Sequence, residues 1–136
     1  MWMLFFIFCS FQEHINSRTR MSIDREDIFV EQDYAEDKVR TLRLTQKNVA
    51  ELLEAWEGLV SDVREAKMDV MVDTEISIGD RIKVSVNTDF PFLNFRRWRS
   101  VSWKGELYPG EHGFTLAEEE FRTVEGNLKI YHALQQ

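Results

Sequence analysis

Between positions 81 and 104 the chain carries Arg81, Lys83, Arg96, Arg97, Arg99 and Lys104, against Asp89 as the only acid. Phe90, Trp98 and Trp103 are set among these cations. Cations neutralise a phosphodiester backbone and flat rings stack on unpaired bases, so this mixture suits single-stranded nucleic acid. An arginine serves both ends, because its guanidinium pairs with phosphate and also stacks. Such a surface discriminates poorly between sequences, since every base offers a π-face. The plainer alternative is a solvated outer sheet face with one or two tryptophans turned to the core.

Other chemistries find little support. Glu118, Glu119 and Glu120 are adjacent carboxylates, but a helix N-terminus favours negative charge there. His14, His112 and His132 are scattered, without metal-ligand spacing. The single cysteine, Cys9, excludes an intrachain disulfide and a cysteine zinc site. No phosphate-cradling glycine loop or Ser/His/Asp grouping is present. Binding without catalysis, cofactor or metal is the expectation.

The formal net charge of −7 argues at first against a nucleic-acid partner. Charge is segregated, however. Residues 21–75 hold 7 basic and 15 acidic side chains, whereas residues 76–136 hold 8 of each. The cations concentrate where strands are expected. In Arg81-Ile-Lys-Val-Ser-Val86, period-2 alternation sets Ile82, Val84 and Val86 on one face and Arg81, Lys83 and Ser85 on the other. Leu93 and Phe95 continue the apolar face, with Asn94 and Arg96 opposite. Arg96-Arg97-Trp98-Arg99 breaks simple alternation and predicts a bulge or bend.

The stretch Gly105-Glu-Leu-Tyr-Pro-Gly-Glu-His-Gly-Phe-Thr-Leu116 then reads as a turn at Pro109-Gly110 and a short strand, Phe114 to Leu116. Thr115 and Glu118 have capping-box spacing. Phe121, Val124, Leu128 and Tyr131 share one face of the helix that follows.

Three blocks in this order, I-G-x-x-I-x-V-S-V from Ile78, apolar-x-apolar-Arg-x-aromatic from Leu93, and G-E-L-x-P-G-x-x-G-F-T-L from Gly105, make residues 76–128 resemble the single-stranded-DNA-binding domain of the transcriptional positive cofactor four family. The resemblance implies a curved antiparallel sheet backed by an amphipathic helix that pairs across a two-fold axis. It also implies a coactivator acting with RNA polymerase II in the nucleus. Arg96 matches a contacting arginine, and Trp98 or Arg99 lies near the family's stacking tryptophan. Phe90, in the loop from Asn87 to Phe92, replaces its stacking phenylalanine. The family carries lysine or arginine where this chain has Asp80, Tyr108, Glu111 and His112, which implies weaker binding there, with Tyr108 offering a ring in exchange. The candidate contacts are Arg81, Lys83, Phe90, Arg96, Arg97, Trp98, Arg99, Lys104, Tyr108 and His112.

Ahead of this domain lie three further segments. Met1 to Phe11 is apolar, too short to span a bilayer, and lacks the flanks of a signal peptide. Met21-Ser-Ile-Asp resembles the start of a soluble protein, so residues 1–21 are read as a leader absent from the mature protein. The alternatives are a targeting or anchoring segment and a folded element. Residues 22–37 carry seven acids against Arg25 and read as a solvated tail, with a short edge strand at Ile28 to Val30. Residues 38–75 form a strand–helix unit: Lys38 to Leu44 alternates, Thr45 caps, and Val49, Leu52, Trp56, Leu59 and Val63 line a helix from about Gln46 to Lys67. A connecting strand is expected over residues 66–73.

Adding 72 to Leu42, Leu44, Val49, Leu52, Trp56 and Leu59 lands on Phe114, Leu116, Phe121, Val124, Leu128 and Tyr131, apolar or aromatic every time. The strand–helix unit is therefore a candidate degenerate repeat whose helix replaces that of a second chain. Either a homodimer or an intrachain pseudo-dimer results.

The expectation is thus an α+β protein that binds single-stranded DNA, or RNA, as a nuclear coactivator among the transcription machinery, with no membrane role. A protein-interaction module that keeps the fold and binds little DNA is the alternative. A membrane-anchored or secreted protein led by residues 1–11 is a third.

Overall fold

The computed structural model describes residues 11–65, 70–77, 80–87, 92–100 and 107–135. The element order is β1 (Thr19–Asp24), β2 (Asp27–Ala35), β3 (Lys38–Leu44), α1 (Gln46–Glu65), β4 (Val70–Ser77), β5 (Asp80–Asn87), β6 (Phe92–Ser100), β7 (Leu107–Ala117), a 3-10 turn at Glu118–Glu120, and α2 (Phe121–Leu134). The strands form two antiparallel sheets, β1-β2-β3 and β4-β5-β6-β7. The protein is α+β, as the alternation and helical periodicities required. Among the described residues no helix is long and apolar enough to cross a membrane.

Two expectations about the first half are corrected. Residues 11–20 take part in the fold: Phe11 and Ile15 pack against the core, Met21 N–H donates to the Glu13 carbonyl at 2.7 Å, and β1 starts at Thr19. Residues 1–10 lie outside the described residues. The acidic run is not a solvated tail, because it supplies half of β1 and all of β2. Nor is Ile28 to Val30 an edge: β2 is the central strand of its sheet. The reason is the pleat. Ile28 and Val30 are fully buried, while Asp27, Glu31 and Asp33 take the alternate positions, which an antiparallel sheet leaves toward water.

The two sheets repeat one another rung by rung. Met21 pairs with Val30 and Val30 with Leu42 in the first; Val84 pairs with Phe95 and Phe95 with Phe114 in the second. Ile28 pairs with Leu44 as Leu93 pairs with Leu116. The helix starts match too. Asn48 Oδ1 accepts from Thr45 N–H at 2.9 Å, and Glu120 Oε1 accepts from Ala117 N–H at 2.7 Å. Thr45 Oγ1 accepts from Asn48 N–H in return, completing the expected cap of α1. At α2 the cap is displaced: Glu120 reaches Ala117, and Thr115 is engaged elsewhere.

The helices are exchanged between the halves. α1 lies against β4, β5 and β6, with Trp56 6.4 Å from the Phe95 ring and 6.4 Å, edge-on, from Phe121. α2 reaches back to the first half: Asn127 exchanges two hydrogen bonds with the Gln12 backbone, and Tyr131 donates to the Glu26 carbonyl. The helices run antiparallel, since Gln46 at the start of α1 meets Gln135 beyond the end of α2. One core cluster results, from Met21 to Tyr131, drawing on both sheets and both helices. Burying a large side chain such as Trp56 or Tyr131 removes apolar surface worth about 1.5–3 kcal/mol from water. Each half supplies the cover that the other lacks.

Candidate nucleic-acid interface

β5 and β6 pair without interruption from Asp80–Arg99 to Asn87–Phe92, so period 2 sorts their side chains cleanly. Ile82, Val84, Leu93 and Phe95 are fully buried under α1. The opposite row holds Arg81 across from Trp98, Lys83 across from Arg96 and Ser85 across from Asn94. Lys83 Nζ stands 4.4 Å from the centroid of the Trp98 ring, a cation–π contact. Arg96 Nη1 donates to the Gly110 carbonyl at 3.3 Å, which fixes one edge of its guanidinium. Lys83, Arg96 and Trp98 are all partly exposed. Two cations and a ring thus share one small area of sheet.

Arg97 belongs to the other row, opposite fully buried Ile82. Arg99, exposed, continues Arg97's row and pairs with Tyr108 in the β6–β7 ladder. Of the candidate contacts, then, Arg81, Lys83, Arg96 and Trp98 are brought together, while Arg97 and Arg99 are set off from them. Phe90 and Lys104 lie outside the described residues. Tyr108 is placed in β7 by its backbone, and His112 is exposed.

The expected bulge exists on the neighbouring strand. Arg96 pairs with Gly113 and Trp98 with Pro109, so β7 spends three residues, Gly110 to His112, where β6 spends one. Pro109-Gly110 is accordingly no turn; both residues lie inside β7, whose 11 residues replace the short strand expected at Phe114 to Leu116. Gly113 is required by close approach: a Cβ there would stand 2.3 Å from the Phe95 carbonyl oxygen. The bulge bends the strand beside Arg96, as bulges do where a side chain is re-aimed.

β4 sets Asp73 in register with Lys83 and Glu75 with Arg81. Arg96 lies on the β7 side of this block, toward the first sheet. There a groove of about 190 Å3 opens between the sheets, with Arg96, Asn94 and Thr115 on one wall and Arg18, Tyr34 and Arg40 on the other. The Arg40 guanidinium lies 4.1 Å over the Tyr34 ring. Asp33 also borders the groove, but Arg20 holds it by two hydrogen bonds at 3.0 and 3.2 Å. The hydrogen-bonded Arg20 guanidinium, helped by the charges of Arg20 and Arg18, keeps the Asp33 carboxyl below its ordinary range despite some desolvation.

Arg18, Tyr34 and Arg40 were not among the sequence-derived contacts. Arg18 falls in the segment read as a leader and Tyr34 in the acidic run, and only the fold of the β2–β3 hairpin gathers them. The one advance signal is the kinship of Arg20-Met-Ser-Ile-Asp24 with Lys83-Val-Ser-Val-Asn87, which marks a first-half counterpart of the basic strand.

A larger cavity of about 440 Å3 lies between the helices, bordered by Trp56, Glu57, Glu118, Arg122 and Glu125. Its three carboxylates face a single arginine, the wrong balance for an anionic polymer. Among the described residues no group of three His, Cys, Asp or Glu is arranged to hold a metal ion. No protein-family model matches the chain, and no curated protein matches it.

Proposed function

We propose that this protein binds single-stranded nucleic acid, DNA foremost, on the outer face of β5 and β6 and catalyses no reaction. Lys83 and Arg96 neutralise phosphate and Trp98 stacks a base. The observation that carries this reading is the Lys83, Arg96 and Trp98 block, placed on one exposed face of a protein that is acidic as a whole. The transcriptional setting, a nuclear coactivator working with RNA polymerase II, rests on the family resemblance of residues 76–128. The repeated rungs and exchanged helices support an intrachain pseudo-dimer, in which one chain supplies both halves of what the family builds from two.

A protein-interaction module is the second reading, favoured by the register of Asp73 and Glu75 with Lys83 and Arg81. Titration of labelled oligothymidine at several salt concentrations separates the two. Nucleic-acid binding predicts an affinity that falls with salt, with a slope of about −0.7 on logarithmic axes for each phosphate neutralised. Absence of salt-sensitive binding would leave the interaction module standing.

A further inference from the structure

The two sheets present the same rung with opposite chemistry. Lys83, Arg96 and Gly113 form it in the second sheet; Arg20, Glu31 and Thr41 form it in the first. Glu31 stands where Arg96 stands. Arg20, the counterpart of Lys83, is held by Asp33 at 3.0 Å and by Glu31 at 3.5 Å. The outer face of the first sheet is thus neutralised at the place where the second is cationic, and a strand lying on the second sheet meets no matching surface there.

The groove beside Arg96 offers the alternative path. Arg40 and Arg96 reach it from the two sheets and Arg18 from the segment before β1, and Tyr34, 45% exposed, supplies a ring already covered on one side by Arg40. Three guanidinium groups thus face one carboxylate, that of Asp33, which Arg20 already pairs, so the groove carries a cationic lining that suits an anionic partner. A phosphate oxygen accepts from guanidinium in the required fork geometry. The walls are also fixed in advance: Gln32 bonds to Thr19 Oγ1 and to both backbone groups of Thr115, holding the hairpin against β7.

We propose that this groove is a second subsite for the same nucleic-acid strand. Arg18, Arg40 and Arg96 hold one phosphate and Tyr34 stacks the adjoining base, so the strand passes from the second sheet beneath the β2–β3 hairpin. This rests on the nucleic-acid reading of the second sheet. It makes the binding surface one-sided, with a single continuous track on a molecule that has two related sheets.

The test is an oligothymidine titration over a range of salt, using the full chain, with the Arg18→Ala/Arg40→Ala double variant, Tyr34→Ala and, as a control on the first sheet's outer row, Arg43→Ala. Iodouracil-substituted oligonucleotides are cross-linked to the unaltered protein and the adduct is located by mass spectrometry. The subsite predicts a roughly tenfold or greater fall in affinity for the double variant, with a logarithmic salt slope shallower by about 0.7 for each phosphate no longer neutralised. Tyr34 is cross-linked, and Arg43→Ala binds as the parent does. Should Arg40→Ala fail to fold, the Tyr34 adduct, which needs no variant, decides the matter. If the parent protein binds, and Arg96→Ala weakens it, while the double variant keeps parental affinity and slope and Tyr34 yields no adduct, the subsite is refuted and the sheet surface survives. If the parent shows no salt-sensitive binding, the sheet reading itself falls and the groove reading with it.

Discussion

The side-chain amide of Gln32 closes a two-bond ring with the backbone of Thr115, donating to its carbonyl at 3.0 Å and accepting from its N–H at 3.1 Å. Thr115 lies in β7, the outermost strand of its sheet, where unpaired backbone groups invite another strand. Gln32 takes the place of that strand. The same contact ties the first sheet to the second and holds the β2–β3 hairpin beside Arg96. One side chain therefore protects an edge and shapes a groove.

Replacing Gln32 with alanine removes both of these bonds and the one it donates to Thr19 Oγ1, and should cost about 1–3 kcal/mol. Gln32→Glu is predicted to be worse near neutral pH, because its carboxylate still accepts from Thr115 N–H but repels the Thr115 carbonyl. That extra loss should fade as the new carboxyl protonates, near the ordinary glutamate pKa of about 4.3. Urea midpoints at neutral and acid pH, with unchanged slopes, measure both effects. Equal stability of the two variants at all pH values would rule out the donated bond to the Thr115 carbonyl.

Adjacent arginines should behave differently. Arg96 shares its row with Lys83 and Trp98, whereas Arg97 sits opposite buried Ile82. On the nucleic-acid reading, Arg96→Ala weakens oligothymidine binding and flattens its salt dependence by about 0.7 on logarithmic axes. Trp98→Ala costs about 1–3 kcal/mol of binding by removing the stacked ring. Arg97→Ala should change binding much less than either. Fluorescence anisotropy over a salt series ranks the three, and a larger effect from Arg97→Ala than from Arg96→Ala would contradict the assignment of rows.

How far the sequence disclosed this arrangement depended on the kind of signal each part carries. The Val49 to Val63 stripe and the Ile82, Val84 and Phe95 alternation announce their elements because burial alone dictates them. β1 and β2 are masked by their outer faces: acids on the wet side of a sheet cost little, so local charge mimics a tail. The proline-glycine pair in β7 carries turn chemistry but is absorbed as a bulge, a choice made by the ladder with β6. Alternation does put Lys83 and Arg96 on one face. The groove was not legible at all, since Arg18, Tyr34, Arg40 and Arg96 meet only once the halves have exchanged helices and Gln32 has docked.

Three glycines predict opposite outcomes. At Gly113 a Cβ would stand 2.3 Å from the Phe95 carbonyl oxygen and 3.1 Å from Arg96 Cα, both backbone atoms that move only with the sheet. Gly113→Ala should destabilise by about 1–3 kcal/mol or more, the range for overpacking. Gly58 in α1 and Gly126 in α2 have nothing within 4 Å of such a Cβ. There alanine should stabilise by about 0.5–1 kcal/mol through helix propensity. Thermal melts of the three variants, read as signs rather than sizes, test whether β6 and β7 approach as closely as described.

Stability at high pH should depend on Tyr131. Its phenol is buried in the joint core and donates to the Glu26 carbonyl. Burial first, then the nearby charges of Asp27 and Glu26, push its pKa above the ordinary value. The neutral form is therefore favoured by folding, so its contribution is complete below the unfolded tyrosine pKa of about 10 and is lost as pH rises through the higher folded value. Asp33 has the opposite sign: held low by Arg20, it favours the fold above the unfolded carboxylate pKa and ceases to as pH falls through its folded value. Tyr131→Phe should cost about 1 kcal/mol at neutral pH through the missing hydrogen bond, yet fall less steeply than the parent between about pH 9 and pH 11. Urea unfolding across that interval compares the two curves, in which every other titrating group is shared. Parallel alkaline limbs would mean that Tyr131 ionises as freely in the folded protein as in the unfolded chain, and that the joint between α2 and the first sheet is open to water.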